Sequence, residues 1–196
     1  MHLFGNLGHV ALLGPLSAAI ILYLVAIGAR RDALAFALAL AACLVATLVA
    51  KLLFDLCDSR IANVESPSGH ESFSAMVYGG VALLVATGRP AQQKIAIYAA
   101  ATLLILLIGV GRVAAWAHTP QEVAVGLAIG LLAILLFHRL RGEAQPIAVP
   151  WRTLALLSPF ALALAFGALV FLRHWTPEYF LAALGRRFGA HYGLCL

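Results

Sequence analysis

Six long apolar segments constrain this chain more than any other feature of its sequence. A helix needs about 20 apolar residues to cross the hydrocarbon core of a bilayer, and several segments reach or approach that length. Apolar residues run all round them, unlike the one-sided stripe of a soluble surface helix. We therefore predict an all-α, polytopic membrane helix bundle with six transmembrane helices. The segments are Val10–Ile27, Ala33–Leu53, Phe73–Thr87, Ile95–Val110, Val123–Phe137 and Thr153–Leu172.

The composition agrees with a protein embedded in lipid. Hydrophobic residues make up 63% of the 196 residues and charged residues only 11%, whereas a soluble domain is about half apolar and a quarter charged. These fractions exclude a disordered chain and an ordinary soluble domain, and we expect residues 1–196 to form a single membrane-embedded domain. The net charge of +5 does not indicate a nucleic-acid partner, because the Lys and Arg residues are scattered rather than clustered.

The distribution of charge predicts the orientation of the helices. No Lys or Arg precedes the first apolar segment, and the pair Arg30 and Arg31 follows it, which favours a retained helix with both chain termini outside. The loops on the predicted inner side carry seven Lys and Arg against two acidic residues, and the other side carries six against six. Arg186 and Arg187 on the outer side run against this interpretation.

Two outer loops concentrate polar residues of unusual chemistry. The first contains Lys51, Arg60 and the stretch 66–71 (Ser-Pro-Ser-Gly-His-Glu), and the second runs from Arg112 to Glu122. Cationic side chains neutralise phosphate oxygens, and the start of a helix points free N–H groups at an anion. One histidine can attack phosphorus while another protonates the leaving oxygen. The two loops together therefore suggest phosphoryl transfer.

Each of these residues also has an ordinary structural interpretation. Ser68–Glu71 and Thr119–Glu122 both fit capping boxes that begin helices, and Lys51 or Arg112 alone could be an interfacial residue whose charge reaches the headgroups. A single loop histidine needs no catalytic role. We predict no catalytic role for the histidines that lie apart from these two polar loops, which are His2, His9, His138, His174 and His191.

The joint pattern of the two loops resembles the type 2 phosphatidic acid phosphatase superfamily of membrane lipid phosphatases. The motif Pro-Ser-Gly-His is intact at residues 67–70, and Arg112 and Glu122 stand six residues before and four residues after His118. The sequence departs from the family pattern in the first motif, where Asp58 replaces Arg and Ser59 replaces Pro. The other departures are milder, with Gly111 for Ser and Glu122 for Asp.

The resemblance implies a role for each matching residue. His118 corresponds to the nucleophile that forms a phosphohistidine, Glu122 to the carboxylate that orients it, and His70 to the acid that protonates the leaving alcohol. The expected phosphate-binding residues are Lys51, Ser68, Gly69 and Arg112, with Arg60 as the hypothetical substitute for the missing first-motif Arg. The resemblance implies no metal or other cofactor. It implies a lipid phosphate as substrate, either an isoprenoid phosphate or pyrophosphate or a phosphatidic-type lipid. Together with the distribution of charge, it leads us to expect a bacterial inner-membrane protein with the site on the periplasmic face.

Other functions stay open at this point. A phosphohistidine could pass its phosphate to another lipid, which would make the protein a lipid phosphotransferase, and the altered first motif could belong to a non-catalytic phospholipid-binding protein. A channel or transporter is less favoured because no inverted repeat is visible. We expect Cys43 to be a core residue, and the sequence leaves open the oligomeric state and whether Cys57 and Cys195 form a disulfide.

Overall fold

The computed structural model describes residues 7–55, 64–142 and 167, and the first two ranges contain five α-helices. The all-helical prediction is confirmed for this part of the chain. Apart from Gly167, the sixth predicted segment lies outside the described residues, and so do Arg60, Cys57 and Cys195. The helices are α1 (Val10–Ala26), α2 (Arg30–Asp55), α3 (Gly69–Ala86), α4 (Ala91–Ala114) and α5 (Pro120–Arg141).

Three of these five helices, α2, α4 and α5, have the length and apolar composition needed to cross a membrane. Helix α1 is apolar but shorter, and α3 opens with the polar residues Gly69, His70 and Glu71. The structure therefore supports a membrane protein, while the count of six crossings and the location of the termini stay predictions.

The last two helices extend at both ends beyond the apolar segments that predict them. Helix α4 was expected over Ile95–Val110 and occupies Ala91–Ala114, and α5 was expected over Val123–Phe137 and occupies Pro120–Arg141. Polar residues at the ends of these helices continue the backbone hydrogen bonding although they lower the local hydropathy. The two helices are therefore long enough to span a bilayer.

Helix α3 lies at the centre of the bundle and contacts all four other helices. Helix α5 approaches it most closely along Gly126 and Gly130, where an added Cβ would overlap the carbonyl oxygen of Ser68 and the side chain of Ala75. Small residues allow this close approach where lipid provides no hydrophobic driving force between helices. The polar start of α3 is thereby fixed against the start of α5.

Buried hydroxyl and thiol groups join α2 to α3 below this polar end. The hydroxyls of Thr47 and Ser72 are 2.8 Å apart, and the Cys43 thiol donates to the carbonyl oxygen of Ser72 at 3.4 Å. Cys43 is buried, which confirms it as a core residue. Lys51 lies four residues after Thr47 on α2, so these contacts help to place it beside the start of α3.

The opposite end of the bundle is closed by a buried ion pair. Arg141 at the end of α5 donates from Nε to Asp32 of α2 at 2.6 Å, and its Nη1 donates to the carbonyl oxygen of Leu83 and the hydroxyl of Thr87. Its guanidinium also lies over the ring of Phe137. Arg141 and Asp32 are one positive and one negative charge among those predicted for the inner loops, so their pairing leaves the excess of positive charge at this end unchanged.

Candidate active site

The two predicted polar segments meet at one end of the bundle. The backbone N–H of Ser68 donates to the carbonyl oxygen of Glu122 at 3.1 Å. The carboxylate oxygen Oε1 of Glu122 accepts hydrogen bonds from the N–H groups of Glu65 and Ser66, both at 2.9 Å. The segment before α3 is thus bound directly to the first turn of α5.

His118 is held by Glu122 in one orientation. Its Nδ1 lies 2.9 Å from Oε2 of Glu122, and that oxygen also accepts from the N–H of Thr119 at 3.0 Å. A carboxylate can only accept, so Nδ1 donates and Nε2 carries the lone pair of the neutral ring. Nε2 is buried and has no hydrogen-bond partner in the described part of the chain, so its lone pair is not used in any contact there.

The surroundings of His118 keep its ring neutral. Burial lowers the pKa of His118 because it disfavours the charged ring; the hydrogen bond to Glu122 opposes this effect, and the positive charges of Arg112 and Lys51 add to it. The outcome is a pKa below the ordinary value. A neutral ring is the form that can attack phosphorus.

Lys51 and Arg112 supply the positive charge of the site. Lys51 is buried near the end of α2, and its Nζ donates to the Ser66 hydroxyl at 3.0 Å. The Lys51 stem packs beside Gly69, since its Cε would lie in ordinary van der Waals contact, at 3.5 Å, with a Cβ at that position. Arg112 lies in the last turn of α4, and both cations act electrostatically on His70 and on His118.

Ser68 begins α3 as predicted, but its capping box is incomplete. The buried Ser68 hydroxyl accepts from the N–H of Glu71 at 3.4 Å. The reciprocal bond from the Ser68 N–H to the Glu71 carboxylate is absent, because that N–H donates to Glu122 instead. The expected box at Ser68–Glu71 was therefore only half right, whereas the box at Thr119–Glu122 is complete.

His9 joins the site, contrary to the prediction that left it as an ordinary loop histidine. Its ring packs edge to face against His70 with centroids 5.3 Å apart. Its Nδ1 accepts from the N–H of Ala11 at 3.1 Å and so caps α1. The preceding backbone is fixed because the Tyr78 hydroxyl donates to the carbonyl oxygen of Leu7 at 2.9 Å. The sequence could have indicated this role, because His9 stands just before α1 and therefore at the same end of the bundle as the start of α3.

The site thus gathers Lys51, Ser68, Gly69, His70, Arg112, His118 and Glu122, all predicted from the sequence, and adds His9. Arg60 cannot be placed, since it lies outside the described residues. Within the described residues no three His, Cys, Asp or Glu side chains are grouped so that they could hold a metal ion. The arrangement offers a neutral nucleophile, a second histidine for proton transfer, and two cations for an anionic substrate.

Comparison with known sequences identifies the same region. No curated protein and no solved structure shows a significant match to the chain. Residues 52–146 match the sequence model of the PAP2 superfamily, and this range contains both the Pro67–His70 motif and the Arg112–Glu122 segment. The match agrees with the resemblance seen in the motifs, and it suggests phosphatase-type activity on phosphate esters.

Proposed function

We propose that the protein is an integral-membrane lipid phosphatase that hydrolyses a phosphate or pyrophosphate ester of a lipid through a phosphohistidine on His118. The observation that carries this proposal is the state of the His118 ring. Glu122 accepts from its Nδ1, and its buried Nε2 has no partner among the described residues. An oriented nitrogen without a partner, next to two buried or half-buried cations, is what an incoming phosphate ester requires.

The proposed reaction has two steps. In the first, the Nε2 lone pair of His118 attacks phosphorus, the bond from phosphorus to the leaving oxygen breaks, and His70 gives that oxygen its proton. The lipid alcohol leaves, or the lipid monophosphate if the substrate is a pyrophosphate. In the second step, His70 takes a proton from water, the water oxygen attacks phosphorus, and the phosphorus–nitrogen bond breaks to release inorganic phosphate.

The cations of the site serve both steps. Lys51 and Arg112 offset the negative charge on the phosphoryl oxygens. The N–H groups at the start of α3 add to this effect, because a helix N-terminus carries a partial positive charge. Burial lowers the pKa of His70 to about 3, and the positive charges of Arg112 and Lys51 add to this effect. A bound phosphate ester brings negative charge that offsets this field, so substrate binding favours the protonated His70 that the first step needs. Arg60 is our proposed replacement for the missing first-motif Arg, and unchanged kcat and KM in Arg60→Ala would refute that role.

The position of the site favours a lipid substrate. It lies where α2 and α4 end and where α3 and α5 begin, so a phosphate at headgroup depth reaches it while the acyl or isoprenyl chains stay in the bilayer. Isoprenoid phosphates and pyrophosphates and phosphatidic-type lipids share this geometry. A panel of these lipids with the purified protein is the direct test of substrate class.

The decisive experiment measures phosphate release with and without His118. We expect phosphate release from at least one lipid of the panel in the presence of a metal chelator, and we expect vanadate to inhibit it. When a reaction with a radiolabelled substrate is quenched, the protein should carry an acid-labile phosphate. His118→Ala should abolish the phosphoprotein and reduce turnover by several orders of magnitude. His138→Ala, at an exposed position near the opposite end of α5, is the matched control. Equal activity in the His118 and His138 variants would refute the nucleophile.

We also propose that the site faces the periplasm, since the positive residues near the other end favour the cytoplasm. Single cysteines can test this in a variant that lacks the three native ones, with Ala115→Cys at the site end and Gln92→Cys at the other. Both positions are exposed. An impermeant thiol reagent should label only the first in intact cells, and the reverse pattern would invert the topology.

A further inference from the structure

The turn that carries His118 contains a backbone conformation that its sequence does not favour. Trp116 is the one described non-glycine residue with a positive φ, at 56°. The N–H of Ala117 donates to the carbonyl oxygen of Arg112 at 3.1 Å, and the N–H of Trp116 donates to that of Val113 at 3.0 Å. These two bonds form a Schellman motif that ends α4, with Trp116 at the left-handed position where glycine is strongly preferred.

Packing within the described part of the chain does not compensate for this conformation. The side chain of Trp116 is 95% exposed, the largest exposure among the large hydrophobic residues in that part. A tryptophan at a position that favours glycine loses free energy, and an indole open to water would gain none back. Local choices that conflict with the fold are expected mainly at functional positions, which points to a partner outside the described part of the chain.

The location of Trp116 identifies that partner. Helix α4 is long and apolar enough to span a membrane, and Trp116 lies directly after its last turn. Tryptophan is enriched at this level of membrane proteins, because its ring suits the boundary between headgroups and acyl chains. We propose that Trp116 inserts into the bilayer interface and holds the turn between Arg112 and His118 at the depth of the lipid phosphates.

This proposal concerns the membrane itself and does not require the enzyme to be active. Arg112 is four residues before Trp116, and His118 is two residues after it. Anchoring the indole therefore anchors a phosphate-binding cation and the proposed nucleophile together. The expected benefit is restricted to substrates that stay in the bilayer, and a phosphate ester dissolved in water should gain nothing from it.

Fluorescence tests the insertion directly. Trp151→Phe and Trp175→Phe leave Trp116 as the single tryptophan, and the variant is reconstituted in phosphatidylcholine–phosphatidylglycerol vesicles. We expect blue-shifted emission and quenching that is strongest with lipids brominated high on the acyl chain and weaker with lipids brominated near its end. Emission typical of indole in water, with no quenching by either lipid, would overturn the proposal whether or not the protein is a phosphatase.

Substitution tests the consequence for catalysis, and this arm rests on the proposed function. Trp116→Gly should raise the thermal midpoint, because glycine suits the left-handed position, yet lower turnover of a vesicle-embedded lipid phosphate several-fold. Trp116→Ala should lower that turnover to the same extent without the gain in stability. Both variants should hydrolyse a water-soluble phosphate ester at the rate of the unmodified protein. An equal loss on both substrates would show that the indole shapes the site itself, and no loss on either would show that anchoring does not matter; both results refute the proposal.

Discussion

Helices α3 and α5 begin with the same sequence pattern and end up with different chemistry. Ser68 and Thr119 are the N-caps, and Glu71 and Glu122 stand three residues later in each case. Both glutamates are buried. Glu122 accepts four hydrogen bonds, one of them from His118, whereas neither carboxylate oxygen of Glu71 has a partner among the described residues.

The difference arises from packing between the two helix starts. The Ser68 N–H that would complete a capping box donates to the carbonyl oxygen of Glu122, so Glu71 has no local donor. Its carboxyl group lies instead against Gly109 of α4, where an added Cβ would come within 3.0 Å of Oε2. A capping pattern thus predicts where a helix begins, but the neighbouring helices decide what its glutamate does.

The largest expected effect comes from Glu122→Gln. The amide keeps the size of the side chain but has one acceptor oxygen in place of two, so either the backbone N–H groups or Nδ1 of His118 lose a partner. Because the carboxylate sets the tautomer of His118, we expect kcat to fall by about 10²–10⁴-fold with a smaller change in KM. Steady-state kinetics on the best lipid of the panel measures this. Retention of more than half the activity would show that Glu122 is a structural cap only.

A smaller effect is expected at the third helix start, where His9 caps α1 and its ring packs against His70. His9→Asn keeps a good capping acceptor and removes the ring, whereas His9→Phe keeps a ring and removes the acceptor. If the ring holds His70 for proton donation, His9→Asn should lower kcat by about tenfold. The loss should disappear with a nitrophenyl phosphate, whose leaving group needs no proton. His138→Asn is the control, and an equal loss on both substrates would contradict this role.

The next effect concerns the pH below which activity is lost, the acid limb of the pH–rate profile. The attacking His118 must be neutral, so activity is lost as pH falls through its pKa, and burial places that pKa below about 6.5. The hydrogen bond and charge of Glu122 raise the pKa of His118, so Glu122→Gln should move the acid limb of the residual activity to still lower pH. An acid limb of the unmodified protein above pH 6.5, or a shift in the opposite direction, would contradict this assignment.

The features that the sequence predicted depend on local spacing. Contact between His118 and Glu122 needs only a separation of four residues, and the apolar segments located the helices because burial in lipid is set by hydropathy. The contacts of His9 with His70 and of Asp32 with Arg141 join residues far apart in the chain. They depend on how the helices pack, which no spacing in one sequence reveals.

The smallest effect is expected for Glu71→Gln, which makes at α3 the same substitution that Glu122→Gln makes at α5. A buried carboxyl without a partner favours its neutral form, and glutamine is neutral and nearly the same shape. We therefore expect activity within about twofold and stability within about 1 kcal/mol of the unmodified protein. Glu71→Ala should be worse by about 2 kcal/mol or more, because it leaves a cavity against Gly109. A loss of activity in Glu71→Gln as large as that in Glu122→Gln, without a loss of stability, would mean that the proton of Glu71 takes part in the reaction and that the two helix starts are functionally alike.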